Sequence, residues 1–179
     1  MDTQTQPAPP PASHRLRLHR VTLRSAVYLI TSVTNKRERH FDHPSAAEIV
    51  ATSMQHFHDR RYLHGFAWVV MPDHIHWLFQ LRVGTLANIM RVMKTWTGGR
   101  VRKLLELRGR RVWMPGYHDR RVRQDECLRR YIHYLVMNPV RWGLVAHPKD
   151  YNWLYAESDI LDIAGAEPEE FGHDQPRAK

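Results

Sequence analysis

Cysteine is almost missing from this sequence: Cys127 is the only one in 179 residues, so no disulfide can close within the chain and a reducing compartment suits it. A lone Cys beside Leu128 on a predicted helix reads as a small packing residue rather than a thiol nucleophile. No run approaches the ~20 apolar residues of a membrane-spanning helix. Met1 to Ser13 carry four prolines and no apolar stretch of signal-peptide length, which argues against export. A cytoplasmic protein without membrane partners is therefore expected. Glycine is scarce and forms no phosphate-cradling loop, and there is no internal repeat. The length suits about one domain and leaves no room for a second catalytic one.

Acidic residues are the minority sign, 18 against 27 Lys and Arg. The surplus is local, since Arg91 to Arg130 hold thirteen basic and four acidic residues while the rest of the chain balances. A concentrated basic stripe is the footprint expected for a polyanion, because each phosphate neutralised releases counterions. A solvated helix face is the plainer alternative.

Residues 1–14 read as a disordered Pro-rich leader, 15–160 as the folded domain and 161–179 as an acidic flexible tail. Within the domain, Ala26 to Thr34 is rich in β-branched and aromatic residues and predicts a buried strand. Pro44 opens a helix running to about Arg60. Gly65 to Met71 and His74 to Leu81 predict a hairpin around Pro72-Asp73. Thr85 to Leu107 has helical spacing, with Gly98-Gly99 a candidate kink. Val112 to Val122 suits an edge strand and a loop, and a last helix is expected from near Asp125 to no further than Asn138, because Pro139 follows. The order β, α, β, β, α, β, α predicts an α+β fold, a ferredoxin-like (RRM-like) antiparallel sheet with helices packed on one face and the other face left for a ligand.

Met71-Pro-Asp-His-Ile-His-Trp-Leu-Phe79 is the most informative run. Side chains alternate across a strand, so His74 and His76 project to the same side and Ile75 and Trp77 to the other. Two neutral imidazoles at this spacing are a natural pair of metal ligands, although a chain with thirteen His residues can place two this way by chance. On the last helix, Leu128, Ile132 and Leu135 define a buried stripe with Tyr134 and Asn138 one turn apart on its flank. If that helix lies beside the His pair, Asn138 can add an oxygen ligand while Tyr134 reaches a phosphate on the same ion. Tyr134 can equally be a half-buried helix tyrosine and Asn138 a C-terminal cap, and Tyr131 is a second candidate nucleophile.

Three segments together resemble the REP-associated tyrosine transposases, members of the HUH single-tyrosine nuclease and transposase superfamily. They are Pro72-Asp-His-Ile-His-Trp77, Tyr117-His-Asp-Arg120, and Tyr134-Leu-Val-Met-Asn-Pro-Val-Arg-Trp-Gly-Leu-Val145. The resemblance covers about Arg17 to Asp159. It implies that His74 and His76 are metal ligands, that Asn138 holds the place of the third ligand and that Tyr134 is the nucleophile. Trp142 departs from the family, which often has alanine there, a change expected to affect packing rather than catalysis. The implied reaction is cutting and rejoining of single-stranded or hairpin DNA, of the kind formed by repetitive extragenic palindromes, through a 5′-phosphotyrosine with Mg²⁺ or Mn²⁺ polarising the phosphate. Arg120, Arg121, Arg123, Arg129, Arg130, Lys94 and Arg100 are candidate DNA contacts. Trp96, Trp113 and Tyr117 are candidate stacking surfaces for bases, with core packing the alternative for each. Both a monomer and a homodimer are compatible with these features.

Two enzyme rivals are weak. A histidine-triad hydrolase needs a third His where Leu78 stands, and a two-histidine phosphodiesterase needs two His-x-Thr/Ser strands where only His43-Pro44-Ser45 occurs. The stronger alternative is a non-catalytic nucleic-acid-binding protein or repressor on the same fold.

Overall fold

The computed structural model describes residues 25–123 and 127–157. The expected leader 1–14, the tail 161–179 and the expected helix start at Asp125 lie outside them. In chain order the elements are β1 (Val27–Val33), α1 (Pro44–Asp59), β2 (Leu63–Met71), β3 (His74–Leu81), α2 (Leu86–Leu104), β4 (His118–Val122), α3 (Leu128–Val136), α4 (Asn138–Arg141) and β5 (Leu154–Ala156). Three short 3₁₀ turns accompany them. The strands form one sheet in the order β4-β1-β3-β2-β5, with every neighbouring pair antiparallel. The first four make the expected ferredoxin-like sheet and β5 extends its β2 edge.

Local chemistry accounts for most boundaries. Pro44 starts α1 where its missing N–H is unneeded, and Thr85 caps α2 by accepting the Asn88 N–H at 3.2 Å. Gly98-Gly99 does not break α2, because Gly98 serves a different need. A Cβ there would lie 3.3 Å from Trp113 Cδ1, and the Trp113 Nε1–H donates to Thr97 Oγ1 at 2.9 Å. The glycine makes room for an indole docked on the helix.

The sheet has two unlike faces. Tyr28, Ile30, Trp68, Ile75, Trp77 and Phe79 point into the main core beneath α1 and α2, with Val50, Met54, Met90 and Met93 from those helices. Here the expectation of helices on one face holds. The last long helix departs from it: α3 packs against β2, β3 and β5, and its Ile132, Leu135 and Val136 join Leu29, Ala67, Leu78 and Ala156 in a second apolar cluster. A strand with apolar side chains on both sides needs cover on both, and Leu29 and Leu78 recruit the amphipathic helix. The face expected to stand open is thus partly roofed, and the roof is the helix that carries Tyr134.

Candidate active site

β3 supplies the floor of the site. Its alternation sends Ile75, Trp77 and Phe79 into the main core and leaves His74 and His76 on the α3 side, with ring centroids 4.8 Å apart. Each imidazole is oriented through Nδ1. His74 Nδ1–H donates to Asp73 Oδ1 at 2.5 Å, and His76 Nδ1 is bonded to Thr31 Oγ1 at 2.8 Å across the β1–β3 ladder, where Thr31 and His76 are register partners. Ionised Asp73 can only accept, so the His74 lone pair resides on Nε2; Thr31 Oγ1 can accept from the Nδ1–H tautomer of His76, which puts that lone pair on Nε2 as well, the arrangement that outer partners of metal-binding histidines favour. Asp73 is itself tied to Arg37 Nη1 at 3.2 Å.

Electrostatics keep both rings neutral. Burial, reinforced by the neighbouring His74, pushes His76 down to about 3. Burial also lowers His74, overriding the opposing pull of Asp73. Burial alone would raise Asp73, but its bonds to His74 and Arg37 outweigh that and hold it ionised below the usual carboxylate range.

α3 brings the phenol. With Ile132 and Leu135 turned inward, Tyr134 falls on the flank facing β3, its ring centroid 5.8 Å from that of His76. The helix stops at Val136 and the chain re-enters a short helix, α4, with Pro139 in its first turn. Asn138 bridges the break, its Nδ2 donating to the Tyr134 carbonyl at 2.7 Å and more weakly to Leu135 O at 3.4 Å. The expected capping role is therefore filled by the amide nitrogen, and the amide oxygen remains the group with ligand chemistry. Asn138 is buried, at the start of a helix that packs against β2.

Two further side chains, which sequence reasoning did not assign to the site, frame it. The Arg141 guanidinium lies 5.1 Å from the Tyr134 ring centroid and donates to Tyr134 O at 3.2 Å. Trp142 lies 5.5 Å from His74, ring to ring. Tyr134, His76, His74 and Trp142 form a continuous series of neighbouring rings. Thr31 was also missed; its role depends on strand register, whereas Asp73 at least stands next to the motif.

The predicted basic contacts divide between the faces. Arg120 pairs in register with Leu29 and so shares the histidine face, its guanidinium 5.4 Å from the Tyr131 ring. That same pairing opposes Arg121 to Tyr28 and directs it the other way. Arg123, Arg129 and Arg130 are exposed along the end of β4 and on α3. Lys94 and Arg100 belong to α2, beneath the opposite face. Lys94 Nζ donates to the carbonyls of Met114 and Gly116, fastening the loop before β4, and Arg100 covers the exposed Trp96 ring at 4.2 Å. Trp113 is a core residue against Phe41, and Tyr117 packs on the core as well. The basic stripe, continuous in sequence, is thus split in space.

Among the described residues no three His, Cys, Asp or Glu side chains gather as a ligand group, so an ion here needs a donor of another type. The carboxamide oxygen of Asn138 is such a donor, and two neutral imidazoles with one oxygen suit a divalent cation.

The family model for IS200-like transposases matches residues 22–135, a span that includes His74, His76 and Tyr134. A REP-associated tyrosine transposase of Escherichia coli (strain K12) is 25% identical over 97 residues, a stretch spanning 52% of this chain and 54% of that protein. Among solved structures, a REP-associated tyrosine transposase bound to a REP hairpin superposes with a TM-score of 0.61 at 20% identity, covering 77% of this chain and 81% of that one, which bears out the fold. The chain belongs to the IS200-like transposase family.

Proposed function

We propose that this protein is a single-tyrosine DNA strand transferase that acts on single-stranded or hairpin DNA, with Tyr134 as nucleophile and His74, His76 and Asn138 holding one Mg²⁺ or Mn²⁺. The observation that carries the reading is the placement of the Tyr134 ring 5.8 Å from His76 within one chain, on the face that carries both imidazoles. The REP hairpin to which the structural relative is bound supports the choice of substrate class.

A protonated phenol is a weak nucleophile. A divalent ion, when bound, polarises the scissile phosphate and neutralises its charge. The side chains supply the rest. Asp73 and Thr31 fix the imidazole orientations, and Arg141 holds the Tyr134 ring and faces the substrate strand with positive charge. Tyr134 Oη forms the new bond to phosphorus as the P–O3′ bond breaks. The phenol gives its proton to solvent, and the departing 3′-oxygen takes one from solvent and leaves as a hydroxyl. The phosphotyrosine conserves the phosphodiester, so rejoining by a 3′-hydroxyl needs no nucleotide. Arg120, Arg123, Arg129 and Arg130, near this face or on α3, are suited to flanking phosphates.

Incubation with hairpin DNA and Mn²⁺ should give an adduct that survives SDS. Tyr134→Phe should abolish it while leaving thermal stability unchanged. An adduct of undiminished yield from Tyr134→Phe overturns the assignment, and binding without any adduct from the parent chain favours a repressor.

A further inference from the structure

An indole normally hides most of its surface, yet Trp142 is 47% exposed at the edge of the site. It is not a core residue. Its ring contact is with His74, centroid to centroid at 5.5 Å, and His74 in turn neighbours His76 and His76 neighbours Tyr134. The backbone keeps it there. Trp142 N–H donates to Asn138 O at 3.0 Å, closing α4, and the chain then turns at Gly143 with φ +66°. The indole is therefore fixed to the same short helix that carries Asn138 and Arg141. The accessible π-surface is offered to whatever strand crosses the histidines.

We propose that Trp142 is a strand-positioning stacking platform, receiving one unpaired base of the substrate strand next to the scissile phosphate. The inference rests on the strand-transfer reading for its substrate, and the ring geometry carries it further. A phosphate placed between Tyr134 and the histidines has a nucleoside on each side, and Trp142 stands at the His74 end of the ring series. Indole–base stacking tolerates any base because every base has a π-face, so the platform fixes the register of the strand. An alanine at this position would remove the indole beside His74 and leave the strand without a stop.

The test separates stacking from simple shielding of His74. A fluorescein-labelled hairpin with an oligo-dT flank is titrated by anisotropy against the Tyr134→Phe chain, with one abasic residue walked along the flank. The hairpin fixes the register, so one abasic position should weaken binding about tenfold, the size of a single stacking contact. Adding Trp142→Ala should weaken binding of the intact flank about tenfold and erase the sensitivity at that position. Trp142→Phe should restore most of it. An abasic profile that keeps its dip in Trp142→Ala, or that has none in the parent, overturns the inference. Failure of the strand-transfer reading appears elsewhere, as absence of the SDS-resistant adduct from the chain with Tyr134 intact.

Discussion

The two faces of the sheet are built by the same strands and put to opposite uses. From β3, Ile75, Trp77 and Phe79 go one way into a core closed by two long helices, while His74 and His76 go the other way beneath a nine-residue helix. The first face is packed mainly with apolar side chains. The second has just enough apolar contact, Leu29 and Leu78 against Ile132, Leu135 and Val136, to seat α3, and its remaining area carries polar groups held by Thr31 and Asp73. Stability and chemistry are thereby separated by a single peptide repeat. A substitution on one face should damage folding, and its neighbour one residue away should damage the reaction.

The largest expected effect breaks the structural face. Trp77 is fully buried against Phe57 and Phe79. Trp77→Ala should lower unfolding free energy by about 3–5 kcal/mol, read from urea denaturation. A loss under about 1 kcal/mol would mean that this core does not carry the fold.

A smaller effect belongs to the other face. Thr31→Val keeps the shape of the side chain and removes the hydroxyl that orients His76. Mn²⁺ affinity by calorimetry should fall roughly 10- to 100-fold, as expected when an outer partner of a ligand is lost. The urea midpoint should move far less than for Trp77→Ala. Unchanged Mn²⁺ affinity would remove Thr31 from the site.

The smallest effect sharpens the comparison through charge. Arg120 lies on the histidine face and Arg100 on the helix covering the opposite one. Arg120→Ala should reduce the slope of log affinity against log salt for hairpin DNA by about one, and Arg100→Ala should leave it unchanged. Equal reductions would place the strand across both faces.

The legible parts of this molecule were those fixed by local periodicity. The alternation in His74 to Leu81 defined β3 at both ends and put the imidazoles on one side, and the 3.6-residue stripe in α3 put Tyr134 on its flank. What escaped was non-local. Nothing in the composition of α3 says which sheet face it covers, because Leu29 and Leu78 lie far from it in sequence. Thr31 joins the site only through the β1–β3 register. The basic run read as one stripe, but β4 and α2 attach to different sides of the sheet, so adjacency in sequence was lost in space. The exposure of Trp142 was not legible either, because an aromatic in a turn gives no sign of it.

Convergence of the β3 imidazoles and the α3 phenol inside one chain is tested most directly by mixing two inactive variants. Tyr134→Phe lacks the nucleophile and His76→Ala lacks a ligand, and with both groups required from one chain a mixture of the two with hairpin DNA and Mn²⁺ should form no SDS-resistant adduct. An adduct restored by mixing would show that phenol and imidazoles meet across two chains, contradicting the single-chain site.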